Sequence, residues 1–442
     1  MHPLNRLQIN RVILLSGLLC LMILALRFIH FIPIIAYASI FISSSILYLF
    51  ICRDVLGKDI PDTGLLPIIA LLLIVRLGLL GMQPMGSDDV YRYLWDGRVQ
   101  SAGINPYRYA PNDSSLAFLH TNHLPSLVNH ADLKTLYFPL SEWSFYLAYT
   151  LSGESIWGFQ FLIFISEVLT IAGLWLLMRQ LSSSPWRVLL YAANPLIILQ
   201  FSLDAHVDVL GFPFLVFGLL FYFRRRLFLS FVLFGLSLLI KPTALVLLPI
   251  LILDQRSFLN RTKAAVVPLV VMLVPFIPYS FGVNPFEALM VFSKNWYFNG
   301  ALFDLLLPFI PDNQTDRLLC LGILIVVLLS LYLSRKPLND RLTLSVLLLL
   351  LCSPVVHPWY IGWMIVLLPI TPLWSGVTLA ATASLTSITF VTYQRYGAWK
   401  DYPIVLLLEY LPVAILLVFD LRRIFVTGSH RNDDTLASTQ DS

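Results

Sequence analysis

Charged residues are scarce in this chain. Only 12% of its 442 residues are charged and 58% are hydrophobic, whereas a soluble domain carries about 25% charged residues. No segment is long and polar enough to form a separate soluble domain. This composition excludes a water-soluble enzyme or binding module and indicates an integral membrane protein.

Cysteine residues are also scarce, and so are glycine-rich motifs. The four cysteines lie in or at the ends of apolar runs, where cysteine usually serves as a packing residue. They therefore predict neither a disulfide framework nor a metal site. The sequence has no evident glycine-rich nucleotide-binding loop and no clear internal repeat. The four cysteines are Cys20, Cys52, Cys320 and Cys352.

Long apolar runs, by contrast, recur from Arg11 to Phe425. Each crossing of a bilayer takes roughly 20 apolar residues, and the runs predict an all-α, polytopic transmembrane helical bundle with about 12–14 spans. Residues 228–254 are too few for two complete spans, which predicts a broken pair. We expect a single domain over residues 1–427 and a disordered cytoplasmic tail over residues 428–442.

Basic residues indicate the orientation of the bundle, because cytoplasmic connections collect Lys and Arg. With the N-terminus inside, the inner segments hold 18 of the 29 basic residues, including the Arg224–Arg226 cluster. The polar segments 84–140, 282–316, 357–360 and 393–402 then all lie outside. The pattern predicts a multi-pass protein of the cell membrane with its active site on the non-cytoplasmic face.

The first large outer loop, residues 84–140, contains the unusual stretch GSDDVYRYLWDGRVQSAGINPYRYAP at residues 86–111. Ser87 is a typical N-cap, and a helix from Asp88 to about Ala102 would stop at Gly103. The aromatic residues of this helix are typical of interfacial helices. An interfacial helix by itself would explain the aromatic residues. It explains the two adjacent carboxylates less well, and carboxylates beside an apolar wall suit a general base.

This stretch resembles the first outer loop of the GT-C superfamily of glycosyltransferases, and most closely the polyprenyl-phosphate-mannose-dependent mannosyltransferases. Shorter matches follow in order along the chain: TLYFPL (135–140), NPLIILQFSLDAHVD (194–208), IKPTALVLLP (240–249), WYFNGALF (296–303), SPVVHPWYIGW (353–363) and EYLPV (409–413). The resemblance implies a GT-C-like fold and a polyprenyl-phosphate sugar as donor. It also implies that Asp88 or Asp89 is the general base. Superfamily members commonly place this loop after their first span, whereas three predicted spans precede it here.

A lipid-phosphate donor needs cations for its phosphate and polar groups for its sugar. Lys241 follows a short apolar run and precedes a proline, and a broken helix beside a cation is a candidate anion site. His206 and Asp208, in a predicted turn, are candidates for sugar or phosphate contact, with a divalent metal as the alternative. Each candidate also has a structural explanation, such as a snorkelling lysine or an interfacial tryptophan. Further predicted substrate contacts are Arg92, Asp96, Tyr107, His357, Trp359 and Glu409.

Two more charged residues, Arg76 and Glu167, fall inside predicted spans. Charged side chains at membrane depth are costly, and they usually face a partner or a cavity. Arg76 is a further candidate cation for the donor phosphate, with snorkelling to the outer surface as the alternative. The sequence names no partner for Glu167.

The favoured function is the inverting transfer of a hexose, with mannose expected from the resemblance, to an acceptor hydroxyl on a glycan or glycolipid. The chemistry requires no cofactor, although adjacent acids are able to hold a divalent ion. The predicted partners are the donor, the acceptor and membrane lipid, with no nucleic acid. A flippase or transporter of a lipid-linked sugar and a non-catalytic assembly subunit are the alternatives. Polar segments on one face favour the enzyme over a transporter.

Overall fold

The structure is a computed structural model that describes residues 3–31, 33–57, 64–310, 312–397 and 399–425. Most residues in these ranges are helical, and within them the one β-type pairing is an isolated parallel bridge between Phe298 and Val355. The predicted all-α, multi-pass class is confirmed. The tail predicted over residues 428–442 lies outside the described residues.

Three helices precede the first large loop, as the sequence predicts: α1 (Pro3–Ala25), α2 (Pro33–Gly57) and α3 (Leu65–Leu79). The loop carries α4 (Asp89–Ser101) and leads into α5 (Pro139–Ser152), which the long helix α6 (Trp157–Gln180) follows. A bent helical pair, Pro185–Ala192 and Pro195–Leu203, comes next, with an angle of 50° between its halves.

The rest of the chain alternates long and short helices. The longer helical segments are Val207–Phe223, Leu227–Ile240, Pro242–Leu253, Phe258–Tyr279, Asn313–Leu333, Leu338–Cys352, Trp374–Tyr396 and Pro403–Phe425. The shorter ones include Glu287–Asn295, Ala301–Leu306, Pro358–Ile361 and Gly362–Ile365. The predicted broken pair at 228–254 is observed, since Lys241 is extended between two helices.

The number of full-length spans is smaller than the sequence-based count of about 12–14. Among the described residues, seven helices are long and apolar enough to cross a membrane, or eight if the bent pair is one span. Other predicted spans correspond to shorter helices, because proline and extended residues interrupt apolar runs that read as continuous in the sequence.

Side-chain contacts sort the connections between helices into two sets. The basic connections contact one another through Arg11–Asp54, Arg224–Gln180, Tyr222–Asp254, Arg341–Asp254 and Lys336–Phe425. The polar segments predicted to lie outside contact one another through Lys134–Glu287, Trp143–Tyr279, Asn299–Asp401 and Gln394–Met85. This sorting agrees with the grouping predicted from charge.

Helix α4 packs closely against α5 because Gly97 has no side chain. A Cβ atom at Gly97 would collide with the carbonyl oxygen of Phe145 and come within 2.8 Å of Tyr149 Cβ. One turn earlier, the ring of Tyr93 stacks on that of Phe145 at 4.5 Å between centroids. This contact holds the helix that follows the two adjacent aspartates in a defined position.

Arg76 and Glu167 are partners of each other inside the bundle. Both side chains are fully buried and form an ion pair. Arg76 also donates to the carbonyl oxygens of Leu72 and Ala192, and the Tyr191 hydroxyl donates to Glu167 at 2.7 Å. A buried ion pair is tolerated when its remaining hydrogen-bonding groups are satisfied. These contacts give both residues a structural role.

Candidate functional site

The two adjacent aspartates lie where the chain enters α4. The helix begins at Asp89, with Asp88 at the N-cap position, one residue later than the sequence predicts. The Ser87 hydroxyl accepts a hydrogen bond from the Asp89 backbone N–H at 3.3 Å. The predicted stop is confirmed, because Gly103 follows the helix with a φ of 75°.

Asp204 holds the backbone that precedes this pair. Its carboxylate accepts hydrogen bonds from the backbone N–H groups of Met85 and Gly86, at 2.8 and 2.9 Å, and from the Tyr37 hydroxyl at 2.6 Å. A Cβ atom at Gly86 would lie only 2.7 Å from Asp204 Oδ2 and from the Tyr37 hydroxyl. The glycine therefore allows the loop to approach this buried carboxylate.

Asn129 bridges the two aspartates. Its Nδ2 atom donates to Asp88 Oδ1 at 2.7 Å and to Asp89 Oδ1 at 2.8 Å. Asn129 lies 40 residues after Asp89 in the same loop, and no motif or spacing in the sequence points to it. Sequence reasoning missed this residue, which orients both carboxylates.

The surroundings give the two aspartates different proton affinities. Asp88 is exposed at the surface, although protein surrounds much of its carboxyl group. The resulting desolvation raises the pKa of Asp88, and the negative charge of Asp89 raises this pKa further. Burial by itself also raises the pKa of Asp89, but contact with His206 and the hydrogen bond from Asn129 lower it to about 2. Asp88 is the more basic carboxylate of the pair.

His206 connects the aspartates to the segment that contains His357. Its Nδ1 atom is 3.4 Å from Asp89 Oδ2. The imidazole ring is fully buried and stacks on the Trp359 ring at 3.6 Å between centroids. The DAHVD sequence is a turn, as predicted, since Ala205 has a φ of 62°.

The His357 ring continues this series of aromatic contacts. It stacks on Trp359 at 4.3 Å and on Phe298 at 4.8 Å between centroids. Burial lowers the pKa of His357 to about 3, so its imidazole is neutral at physiological pH. Within the described residues, neither ring nitrogen of His206 nor Nδ1 of His357 has a hydrogen-bond partner. These nitrogens are buried, and Nδ1 of His206 faces the Asp89 carboxylate.

Lys241 lies at the helix break and is held by Asp208. Its Nζ atom is 2.7 Å from Asp208 Oδ1, which also accepts a hydrogen bond from Trp363 Nε1 at 2.8 Å. The same Nζ lies 3.5 Å from the centroid of the Tyr360 ring. Lys241 is about a quarter exposed, whereas Asp208 is almost fully buried. The pair therefore presents a fixed ammonium group at the edge of the cluster.

An open apolar groove of about 420 Å³ reaches Ile240, the residue before Lys241. Its lining comes from α5, α6 and the two helical segments Val207–Phe223 and Leu227–Ile240. The lining residues are Leu140, Ser144, Leu147, Leu162, Ile165, Ser166, Leu169, Leu210, Pro213, Phe214, Phe217, Phe221, Leu229, Leu233 and Ile240. The groove suits an extended hydrocarbon chain.

The structure thus brings together seven of the predicted site residues: Asp88, Asp89, His206, Asp208, Lys241, His357 and Trp359.

Arg92, Asp96 and Tyr107 are buried and bonded within the protein. Arg92 forms an ion pair with Asp96 at 2.9 Å, and the Tyr107 hydroxyl donates to the carbonyl oxygen of Tyr137 at 2.7 Å. The structure gives them no place in the cluster, and a substrate contact for them stays a prediction.

Glu409 is fully buried behind the cluster. Its Oε1 atom accepts a hydrogen bond from Asn299 Nδ2 at 3.1 Å, and the same amide group contacts the carbonyl oxygen of Val356 at 3.4 Å. Glu409 therefore supports the backbone beside His357, and direct substrate contact for Glu409 stays a prediction.

Within the described ranges, no group of three or more His, Cys, Asp or Glu residues is arranged to hold a metal ion.

Comparisons with known proteins match this chain over most of its length. Residues 12–255 match the model of the N-terminal domain of the alpha-(1->6)-mannopyranosyltransferase family, and residues 317–423 match the MptB C-terminal domain. The comparison with curated proteins gives no match. The crystal structure of ArnT from Cupriavidus metallidurans bound to undecaprenyl phosphate is 18% identical, with a TM-score of 0.45. The match covers 82% of this chain and 72% of that chain.

The first family model alone covers more than half of the 442 residues. The resemblance to mannosyltransferases and the prediction of an enzyme are confirmed, in preference to a transporter or an assembly subunit. The chain belongs to the alpha-(1->6)-mannopyranosyltransferase family and is a multi-pass membrane glycosyltransferase.

Proposed function

We propose that this enzyme transfers a mannosyl group from a polyprenyl-phosphate sugar to an acceptor hydroxyl, with inversion and with Asp88 as the general base. The observation that carries the proposal is the meeting of an apolar groove, a fixed ammonium group and a bridged pair of aspartates. The groove suits a polyprenyl chain, the ammonium group suits a phosphate, and the aspartates suit a reacting hydroxyl.

The donor is assigned to the groove and to Lys241. A lipid tail in the groove would bring its headgroup past Ile240, and the phosphate would meet the Lys241 ammonium group. Charge-assisted hydrogen bonds to phosphate are strong in a partly desolvated site. Asp208 and the Tyr360 ring hold the ammonium group in place before the donor arrives.

Asp88 is assigned as the base because it is accessible and more basic than its neighbour. The acceptor oxygen attacks the anomeric carbon while the bond between that carbon and the phosphate oxygen breaks. The leaving polyprenyl phosphate keeps the electron pair, and the hydroxyl proton passes to Asp88. Direct displacement inverts the anomeric centre. Asp89 stays ionised and orients His206 through the Nδ1 atom of that ring. Nε2 of His206 and Nδ1 of His357 are assigned to sugar hydroxyl groups.

The active site is assigned to the non-cytoplasmic face. In the part of the chain that the structure describes, the connections richest in Lys and Arg contact one another. Cytoplasmic connections collect basic residues, which supports this orientation.

The test is to incubate membranes that contain the protein with labelled polyprenyl-phosphate sugars and to identify the labelled product. The panel includes mannose, glucose and arabinose donors, each with and without a chelator. The anomeric configuration of donor and product is compared by NMR. Asp88→Asn is expected to lower transfer by about 10²–10⁴-fold with normal membrane insertion, and Asp89→Asn by less.

Several results would contradict parts of this proposal. Full activity in both single variants and in the double variant would exclude an aspartate base. A larger loss in Asp89→Asn than in Asp88→Asn would move the base to Asp89. Retention of configuration would exclude direct displacement, and loss of transfer on chelation would require a metal.

A further inference from the structure

A cluster of aromatic side chains extends from the candidate site to the protein surface. The Trp399 ring lies 4.9 Å from Phe298, 5.8 Å from Phe390 and 5.3 Å from Tyr393, measured between centroids. Trp399 and Tyr393 are 45% and 46% exposed, so the outer part of the cluster is open to a ligand. We call these four residues, Phe298, Phe390, Tyr393 and Trp399, the aromatic platform.

The platform is continuous with the site. Phe298 stacks on His357, and the Trp399 centroid is 6.4 Å from that of His357. Gln394, which follows Tyr393, donates a hydrogen bond at 2.8 Å to the carbonyl oxygen of Met85, three residues before Asp88. The connection that bears the platform therefore borders the backbone that positions the two aspartates.

The platform and the apolar groove are built from different parts of the chain. The groove is lined by residues between 140 and 240, whereas the platform comes from residues 298 and 390–399. The ring series Phe298–His357–Trp359–His206 joins the platform to Asp89. A ligand on the platform would therefore occupy a surface separate from the groove.

We infer that the aromatic platform binds the acceptor glycan and directs its terminal hydroxyl towards Asp88. This inference rests on the proposed transfer reaction. Flat aromatic rings offer apolar contact area to the C–H faces of pyranose rings, and nearby polar groups set their orientation. Asp401, two residues after Trp399, is partly exposed and provides a carboxylate acceptor for sugar hydroxyl groups. The expected ligand is thus a chain of pyranose units and not a hydrocarbon chain.

The experiment compares wild type with Trp399→Ala, Tyr393→Ala and Trp399→Phe. An α-1,6-linked mannotriose serves as acceptor, and both donor and acceptor concentrations are varied. Trp157→Ala is the matched control, because Trp157 is 44% exposed at the start of α6 and stacks on Phe161. Binding of the free mannotriose is measured in parallel by saturation-transfer NMR on the detergent-solubilised protein without donor.

Trp399→Ala is expected to raise the acceptor KM about tenfold, with donor KM and kcat within about twofold. Trp399→Phe should restore most of the affinity, and Trp157→Ala should match wild type. An unchanged acceptor KM in Trp399→Ala, or an equal effect of Trp157→Ala, would overturn the inference and assign Trp399 to the interfacial aromatic belt.

The binding measurement separates this inference from the proposed function. If wild type binds mannotriose in a Trp399-dependent way but transfers no sugar to it, the binding role of the platform stands and transfer to this acceptor is excluded. If wild type transfers sugar, and Trp399→Ala and Tyr393→Ala bind mannotriose as wild type does, the platform fails and the reaction stands.

Discussion

Nδ1 of His206 lies 3.4 Å from Oδ2 of Asp89, although the two residues belong to separate polar segments of the chain. The contact joins the aspartate pair of the first loop to the turn after the bent helical pair. Because His206 also stacks on Trp359, the same contact extends to the segment around His357. Three separate parts of the sequence thus converge on one cluster of carboxylate and imidazole groups.

The pH dependence of transfer should report the environment of Asp88. A general base must be ionised, so activity should fall as pH drops through the raised pKa of Asp88. Asp89→Asn removes the neighbouring negative charge that raises this pKa. The acidic limb of the kcat/KM profile should then move to lower pH.

Asn129→Ala should move the same limb in the opposite direction. The Asn129 hydrogen bond favours the ionised form of Asp88, so its loss raises the pKa. Profiles of kcat/KM against pH for wild type and both variants provide the measurement, with Asn112→Ala in the same loop as the control. Shifts of the same sign in both variants would argue against Asp88 as the titrating group.

Lys241→Met should weaken donor binding selectively. It removes the ammonium group assigned to the donor phosphate, and a charged hydrogen bond of this kind corresponds to about a 10–100-fold change in KM. Steady-state kinetics with varied donor concentration measure the effect. Lys336→Met, which removes a lysine from the basic connections, should behave as wild type. A raised acceptor KM with an unchanged donor KM would place the lysine elsewhere in the reaction.

Leu233→Trp should make the enzyme sensitive to the length of the donor lipid. The larger side chain fills part of the apolar groove and displaces a long polyprenyl tail from its apolar contacts. Because the loss of such contacts weakens binding, the KM for a long polyprenyl donor should rise about tenfold. A short-chain, water-soluble donor should be unaffected. Leu269→Trp, on a lipid-facing part of Phe258–Tyr279 outside the groove, is the control. Equal KM values for the long donor in wild type and Leu233→Trp would show that the tail lies elsewhere.

Arg76 and Glu167 should behave as a structural pair. Arg76→Met leaves a buried carboxylate without its cation, which should destabilise the protein by about 3–5 kcal/mol. The double variant Arg76→Met, Glu167→Gln removes both charges and should recover much of that loss. Thermal unfolding in detergent, followed by intrinsic fluorescence, measures both. Normal stability with abolished transfer in Arg76→Met would indicate a catalytic role for the arginine instead.

Local patterns in the sequence were enough to predict the class of the fold. Apolar runs predict helices because an apolar segment in lipid must satisfy its backbone hydrogen bonds internally. The break at Lys241 follows from the proline after it, and the entry into α4 follows, to within one residue, from the polar residues that precede it. Seven of the eleven predicted site residues lie in one cluster, and their roles in catalysis and binding stay predictions.

Tertiary packing decided the rest. Asn129 bridges Asp88 and Asp89, and Asp204 holds the loop before them. Arg76 pairs with Glu167. No pattern in the sequence indicates any of these contacts. Each joins residues about 40 or more positions apart, whose separation depends on how several helices pack. The same packing turned Glu409 and Arg92 towards protein partners. Hydrophobic periodicity and capping act over a few residues, whereas the direction of a side chain inside a bundle depends on all the helices around it.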